Sequence, residues 1–138
     1  MRHEAMLAQL FAAPPRLGDL APDEAALVRA TRSWVVAQRH GRRCPLDAAA
    51  THLGTPAAAR ALHLLLASVG AAWPDPVAIA PPCCAHLTHD EATLLGMVLA
   101  AHRHGRPVFD ALLCEMLDAD ARDRLFASAS LMGQSIDS

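Results

Sequence analysis

Four donor side chains, Cys83, Cys84, His86 and His89, fall within one seven-residue span of the stretch Pro81-Pro82-Cys83-Cys84-Ala85-His86-Leu87-Thr88-His89-Asp90-Glu91. Thiolate sulfur and imidazole nitrogen are the donors that zinc and other thiophilic metals prefer, and Cys44 or Cys114 could complete a tetrahedral set from elsewhere in the chain. The same thiols offer redox chemistry, because a thiolate close to a helix N-terminus is stabilised and reactive. Spacing argues against the metal. Neighbouring side chains point apart, and structural zinc sites separate their thiols by two to four residues. A purely structural account also fits: the thiols pack as small hydrophobes where the chain docks, and Thr88-His89-Asp90-Glu91 is a capping box that opens a helix.

The remaining candidates reduce to structure more readily. Arg39-His40-Gly41 and Arg103-His104-Gly105 place cationic side chains and a glycine where a helix ends, which suits the exposed carbonyls of a last turn. His102 falls on an apolar stripe as a core histidine. Leu46 to Leu66 has the outline of a helix-turn-helix, but its second helix offers only Arg60 and His63 to read base edges. Arg42, Arg43 and Arg60 could touch phosphate, yet a net charge of −2 leaves little counterion-release energy for nucleic-acid binding. No Ser-His-Asp arrangement, glycine-rich phosphate loop or paired-carboxylate motif is present, so no catalytic residue is assigned. All 12 basic residues are Arg, which rules out lysine Schiff-base and P-loop lysine chemistry.

Two similar units carry these residues. Asp23-Glu24-Ala25 answers to Asp90-Glu91-Ala92, the two Arg-His-Gly corners answer to each other, Leu46-Asp47-Ala48 answers to Phe109-Asp110-Ala111, and Leu66-Ala67-Ser68 to Phe126-Ala127-Ser128. Each unit reads as three helices, over residues 21–70 and 88–133, with a proline-rich extended linker at 71–87. In the first, Pro22, Pro45 and Thr55-Pro56 open helices and Gly41, Gly54 and Gly70 close them. Its inward stripe is Leu27, Val28, Thr31, Trp34 and Val35, and then Leu62, Leu65, Leu66 and Val69. In the second, Leu94, Leu95, Val98, Leu99 and His102 face inward, followed by Leu112, Leu113 and Leu117, and then Leu125, Phe126 and Leu131. Pro107 opens the middle helix, and Asp118 or Asp120 caps the last. A short amphipathic helix through Met6, Leu7, Leu10 and Phe11, stopped by Pro14-Pro15, precedes them. The expected fold is all-α, six to seven helices packed as one domain over residues 1–138.

Composition sets the setting. At 53% hydrophobic residues the 138-residue chain is apolar, with a mean hydropathy of +0.21 and an isoelectric point of about 6.4. No apolar run approaches the roughly 18 residues of a membrane span, so the excess belongs in a core or on a partner surface. The N-terminus lacks the pattern of an export signal, which points to the cytoplasm and to reduced cysteines.

The order Pro82-Cys83-Cys84, Thr88-His89-Asp90-Glu91 and Leu94-Leu95, after a helix ending in an Arg/His-Gly turn, resembles a small bacterial all-helical domain family of unknown function. The resemblance spans most of residues 23–99. It implies a helical fold and a bacterial cytoplasmic setting, with no assigned activity. The functional expectation is a non-enzymatic protein acting through contacts with a protein partner or in a homodimer, without a cofactor. The alternatives are a zinc-binding or thiol-redox protein using Cys83, Cys84, His86 and His89, and a DNA-binding regulator.

Overall fold

The computed structural model describes residues 14–137. The helix expected around Met6 to Phe11 lies outside them. Among the described residues there are six α-helices: α1 (Pro22–His40), α2 (Pro45–Leu53), α3 (Pro56–Ala72), α4 (His89–Leu99), α5 (Arg106–Leu113) and α6 (Ala119–Asp137). The fold is all-α. A short 3-10 turn at Leu17–Asp19 precedes α1, and an isolated antiparallel bridge joins Arg16 to His86.

Local signals set most of the helix ends. Pro22 opens α1, where its missing N–H costs nothing, and Glu24 Oε1 accepts the Ala21 amide at 3.1 Å. Gly41, at φ 66°, closes it with an amide bond to the Ala37 carbonyl of 2.9 Å. Gly54 ends α2 in the same way, and Thr55 Oγ1 caps α3 by accepting the Ala58 amide at 3.1 Å. Gly70 does not end α3 as expected. The helix runs on to Ala72 and stops at Trp73, which precedes Pro74 and is therefore driven into extended backbone (ψ 133°). Asp118 is the cap of α6, its Oδ1 accepting the Ala121 amide at 2.8 Å.

The two Arg-His-Gly corners do not match in form. After Leu99, α4 widens into a π-helical turn over Ala100–His104, and the Gly105 amide bonds back five residues to the Ala100 carbonyl at 2.8 Å. Gly105 then adopts φ 92°, ψ 179°, a conformation open essentially to glycine, and leads directly into α5. The first corner ends a helix; the second ends one helix and begins the next.

Every residue from Glu91 to Ala100 is buried, so α4 is enclosed on all sides and serves as the central rod. The helices of the two halves interleave around it: α1 packs on α2 and touches α4, while α3 packs on both α2 and α6. The core is made by Leu62, Leu65, Val69, Leu95, Met97, Val98, Phe109, Leu113, Leu125 and Met132. Each such aliphatic side chain contributes about 1.5–3 kcal/mol, against about 0–1 kcal/mol for an exposed ion pair, so apolar packing dominates. The expected inward faces hold only in part: Trp34, Val35, Leu112 and Phe126 are half-buried. Leu131 is 46% exposed, because the buried stripe of α6 runs through Ala121, Leu125, Ala129 and Met132. His102 is only half-buried and pairs with Asp137. Arg32, a charged residue, is wholly buried on the inner face of α1.

Candidate functional site

Residues 73–88 form no helix, and Thr88, Asp90 and Glu91 hold this linker against the start of α4. Thr88 and Glu91 form the expected capping box, with the Glu91 amide donating to Thr88 Oγ1 at 3.0 Å and the Thr88 amide to Glu91 Oε1 at 2.8 Å. The same side chains reach backwards along the linker. Thr88 Oγ1 donates to the Ala78 carbonyl at 2.6 Å, Asp90 Oδ2 accepts the Ala78 amide at 2.7 Å, and Glu91 Oε2 accepts the Ala80 amide at 3.3 Å.

Arg32 completes the clamp from α1. Its Nε and Nη2 donate to the two Glu91 carboxylate oxygens at 2.8 and 3.0 Å, and its Nη1 and Nη2 donate to the carbonyls of Cys84 and His86 at 2.7 and 3.0 Å. The Glu91 hydrogen bond, opposed by burial, raises the guanidinium pKa above its ordinary value. One arginine thus satisfies a buried carboxylate and fixes the shape of the Cys-Cys segment.

The donors of that segment differ in their surroundings. Cys83 is exposed on a turn closed by the Cys84 amide and the Pro81 carbonyl at 3.1 Å. Cys84 is half-buried and its thiol donates to the His86 carbonyl at 3.3 Å. His86 is exposed, and the residues beside it pair with the chain before α1 through Leu17 N to Ala85 O (2.7 Å) and Leu87 N to Pro15 O (3.1 Å). His89 is the first residue of α4 and is exposed. Cys44 lies at the start of α2 and Cys114 at the end of α5, both exposed, and all four thiols are free. Among the described residues no three His, Cys, Asp or Glu side chains stand where they could share a metal ion. The alternative of a zinc ion shared by Cys83, Cys84, His86 and His89 has no such grouping behind it.

A second feature was missed from the sequence. Ser33, Val36, Ala37, His40, Arg42, Arg43, Ala48 and Pro82 line a groove of about 460 Å³ between α1, α2 and the Pro81–Cys84 turn. At its edge Ser33 Oγ and His52 Nε2 are 2.9 Å apart, and Arg43 Nη2 donates to Thr51 Oγ1 at 2.6 Å. Desolvation first, and then the charges of Arg29 and Arg43, hold the His52 imidazole below its ordinary pKa. No carboxylate is hydrogen-bonded to the His52 ring among the described residues, so the Ser33–His52 pair lacks the orienting acid of a catalytic triad.

The charge around the groove is uncompensated. Arg29, Arg39, Arg42 and Arg43 have no carboxylate partner among the described residues, whereas Arg103, Arg106 and Arg122 in the second half all lie within ion-pair distance of aspartates. The signal was present in the sequence. Between Ala25 and Gly70 stand six arginines, Arg29, Arg32, Arg39, Arg42, Arg43 and Arg60, and one acid, Asp47. The overall charge of −2 conceals this because the acids lie mainly beyond residue 88.

The helix-turn-helix outline gains little from the geometry. His63, one of its two candidate base-reading side chains, is half-buried and accepts the Trp34 indole N–H at 3.1 Å. No helix among the described residues is long and apolar enough to cross a membrane. Comparison with protein-family models, curated proteins and solved structures finds no match.

Proposed function

We propose that this chain is a non-enzymatic cytoplasmic protein that acts through protein–protein contacts, the first partner being a second copy of itself. The observation that carries this reading is the outer face of α3. Ala57, Arg60, Leu64, Ala67 and Ala71 are all exposed there, and Leu64, at 53%, is the most exposed large hydrophobic side chain among the described residues. Over its 17 residues α3 carries a single charge, Arg60, and no acid. Alanine lets a second helix approach closely, and a twofold contact uses the same patch on both copies.

Light scattering across a micromolar concentration range tests it. The wild-type chain is expected to give a dimer mass, and Leu64→Glu, which leaves the core untouched, a monomer mass. A wild-type monomer at every concentration overturns the proposal.

A further inference from the structure

We propose that the groove between α1, α2 and the Pro81–Cys84 turn binds a small phosphate monoester, with Arg42 and Arg43 on the phosphate and Val36, Ala37 and Pro82 against its organic part. The site is separate from the outer face of α3 and goes beyond the self-association proposed above.

Three observations support it. The groove lining holds two guanidiniums and the His40 imidazole but no carboxylate, so an entering anion meets no repulsion from the walls. Arg43 is positioned rather than loose. Its Nη2 rests on Thr51 Oγ1 at 2.6 Å and near the Asp47 carbonyl at 3.4 Å, contacts with neutral groups that leave its charge uncompensated. A guanidinium fork matches phosphate oxygens in pairs, which a lone ammonium does not. Hydroxyl and imidazole groups stand beside it, in Ser33, Thr51 and His52.

Size and shape decide between sources of phosphate. A volume of about 460 Å³ lies within the range of small-ligand pockets, and its apolar wall has no purpose for a sugar-phosphate backbone. A duplex would need a broad basic face, and the one candidate reading helix, α3, offers Arg60 with His63 already bonded to Trp34.

The test uses phenyl phosphate as probe on the full chain, with isothermal titration calorimetry and histidine ring NMR. Saturable binding is expected, accompanied by a rise in the His52 titration midpoint as the anion offsets the nearby guanidiniums. Arg43→Gln should weaken binding at least about 10-fold, the loss of one charge-assisted contact. Val36→Glu, at an exposed wall position, should abolish it while leaving the circular dichroism melt unchanged. No saturable binding at millimolar probe, or binding that both variants leave intact, overturns the proposal. Duplex DNA that binds more tightly than phenyl phosphate through the same arginines overturns it in favour of nucleic acid.

Discussion

Arg32 and Glu91, 59 residues apart in the chain, face each other across the protein interior with Nε–Oε2 at 2.8 Å and Nη2–Oε1 at 3.0 Å, both side chains essentially inaccessible. The pair joins the middle of α1 to the first turn of α4, and the same guanidinium binds the carbonyls of Cys84 and His86. Removing one partner of a buried pair leaves the other charge uncompensated, at a cost of about 3–5 kcal/mol. That is a large part of the roughly 5–15 kcal/mol that holds a domain of this size folded.

Arg32→Ala and Glu91→Gln should therefore each lower the denaturant midpoint substantially. Arg32→Met combined with Glu91→Gln should cost less than the sum of the corresponding single changes by at least about 1 kcal/mol, the mark of residues acting as a unit. Additive losses in that cycle would show that the pair is not one.

Thr55 and Thr88 occupy the same kind of position with different consequences. Each caps a helix, and losing the cap alone costs about 1 kcal/mol. Thr88 additionally donates to the Ala78 carbonyl at 2.6 Å, worth about 0.5–1.5 kcal/mol more. Thr88→Ala should destabilise more than Thr55→Ala, and it alone should speed hydrogen exchange at the Ala78 and Ala80 amides, which the linker clamp protects. Equal losses and unchanged exchange would mean that the Thr-x-Asp-Glu segment caps a helix and does nothing for the linker.

What could be read from the sequence was local. Pro22, Pro45, Thr55, Thr88, Gly41 and Gly54 act on backbone groups within four residues, so their types and spacing carry the information. Arg32 shows where this ends. Its position on the inner stripe is visible in the periodicity with Ala25 and Val28, but the pattern assigns a charged residue outward unless its partner is known. The π-helical turn before Gly105 and the exposure of Leu131 likewise depend on neighbours distant in the chain. The basic groove lay open to inspection in the run from Ala25 to Gly70. Averaging charge over the whole chain hid it.

Gly133 is required by His102. A Cβ at position 133 would collide with the His102 side chain, lying 2.8 Å from its Cγ, and the ring is held to Asp137 by a hydrogen bond. Gly133→Ala must therefore displace either α6 or the π-helical turn, an overpacking cost of about 1–3 kcal/mol. Gly70 is the control. It lies inside α3, and a Cβ there would have no neighbouring atom within 4 Å. Gly70→Ala should stabilise by about 0.4–1 kcal/mol through a stiffer unfolded chain. Thermal melts of the two variants should move in opposite directions; shifts of the same sign would contradict this account of the α6 contact.

The last turn of α6 should respond to acid through Asp137. Its carboxylate is paired with His102 Nε2, and Arg103 Nη2 lies 3.6 Å from its other oxygen. The His102 hydrogen bond, opposed by desolvation and aided by the charges of His102 and Arg103, holds the Asp137 pKa below its ordinary value. A depressed carboxylate pKa means that the unfolded chain takes up the proton more readily. The stabilisation is thus fully present above the unfolded value near 3.9 and is lost as pH falls through the lower folded value. Arg103 also contacts Asp23 at 3.2 Å, so the same cluster ties the end of α6 to the start of α1. Between about pH 5 and pH 2 the wild-type denaturation midpoint should fall more steeply than that of Asp137→Asn. Because the group is exposed the difference is small, and the protection factor of the Ile136 amide, the exchange rate relative to the intrinsic rate at the same pH, is the more sensitive readout: it should fall on acidification in the wild type and be low at every pH in the variant. Matching pH profiles would place the hold on the α6 terminus in its apolar contacts instead of in this ion pair.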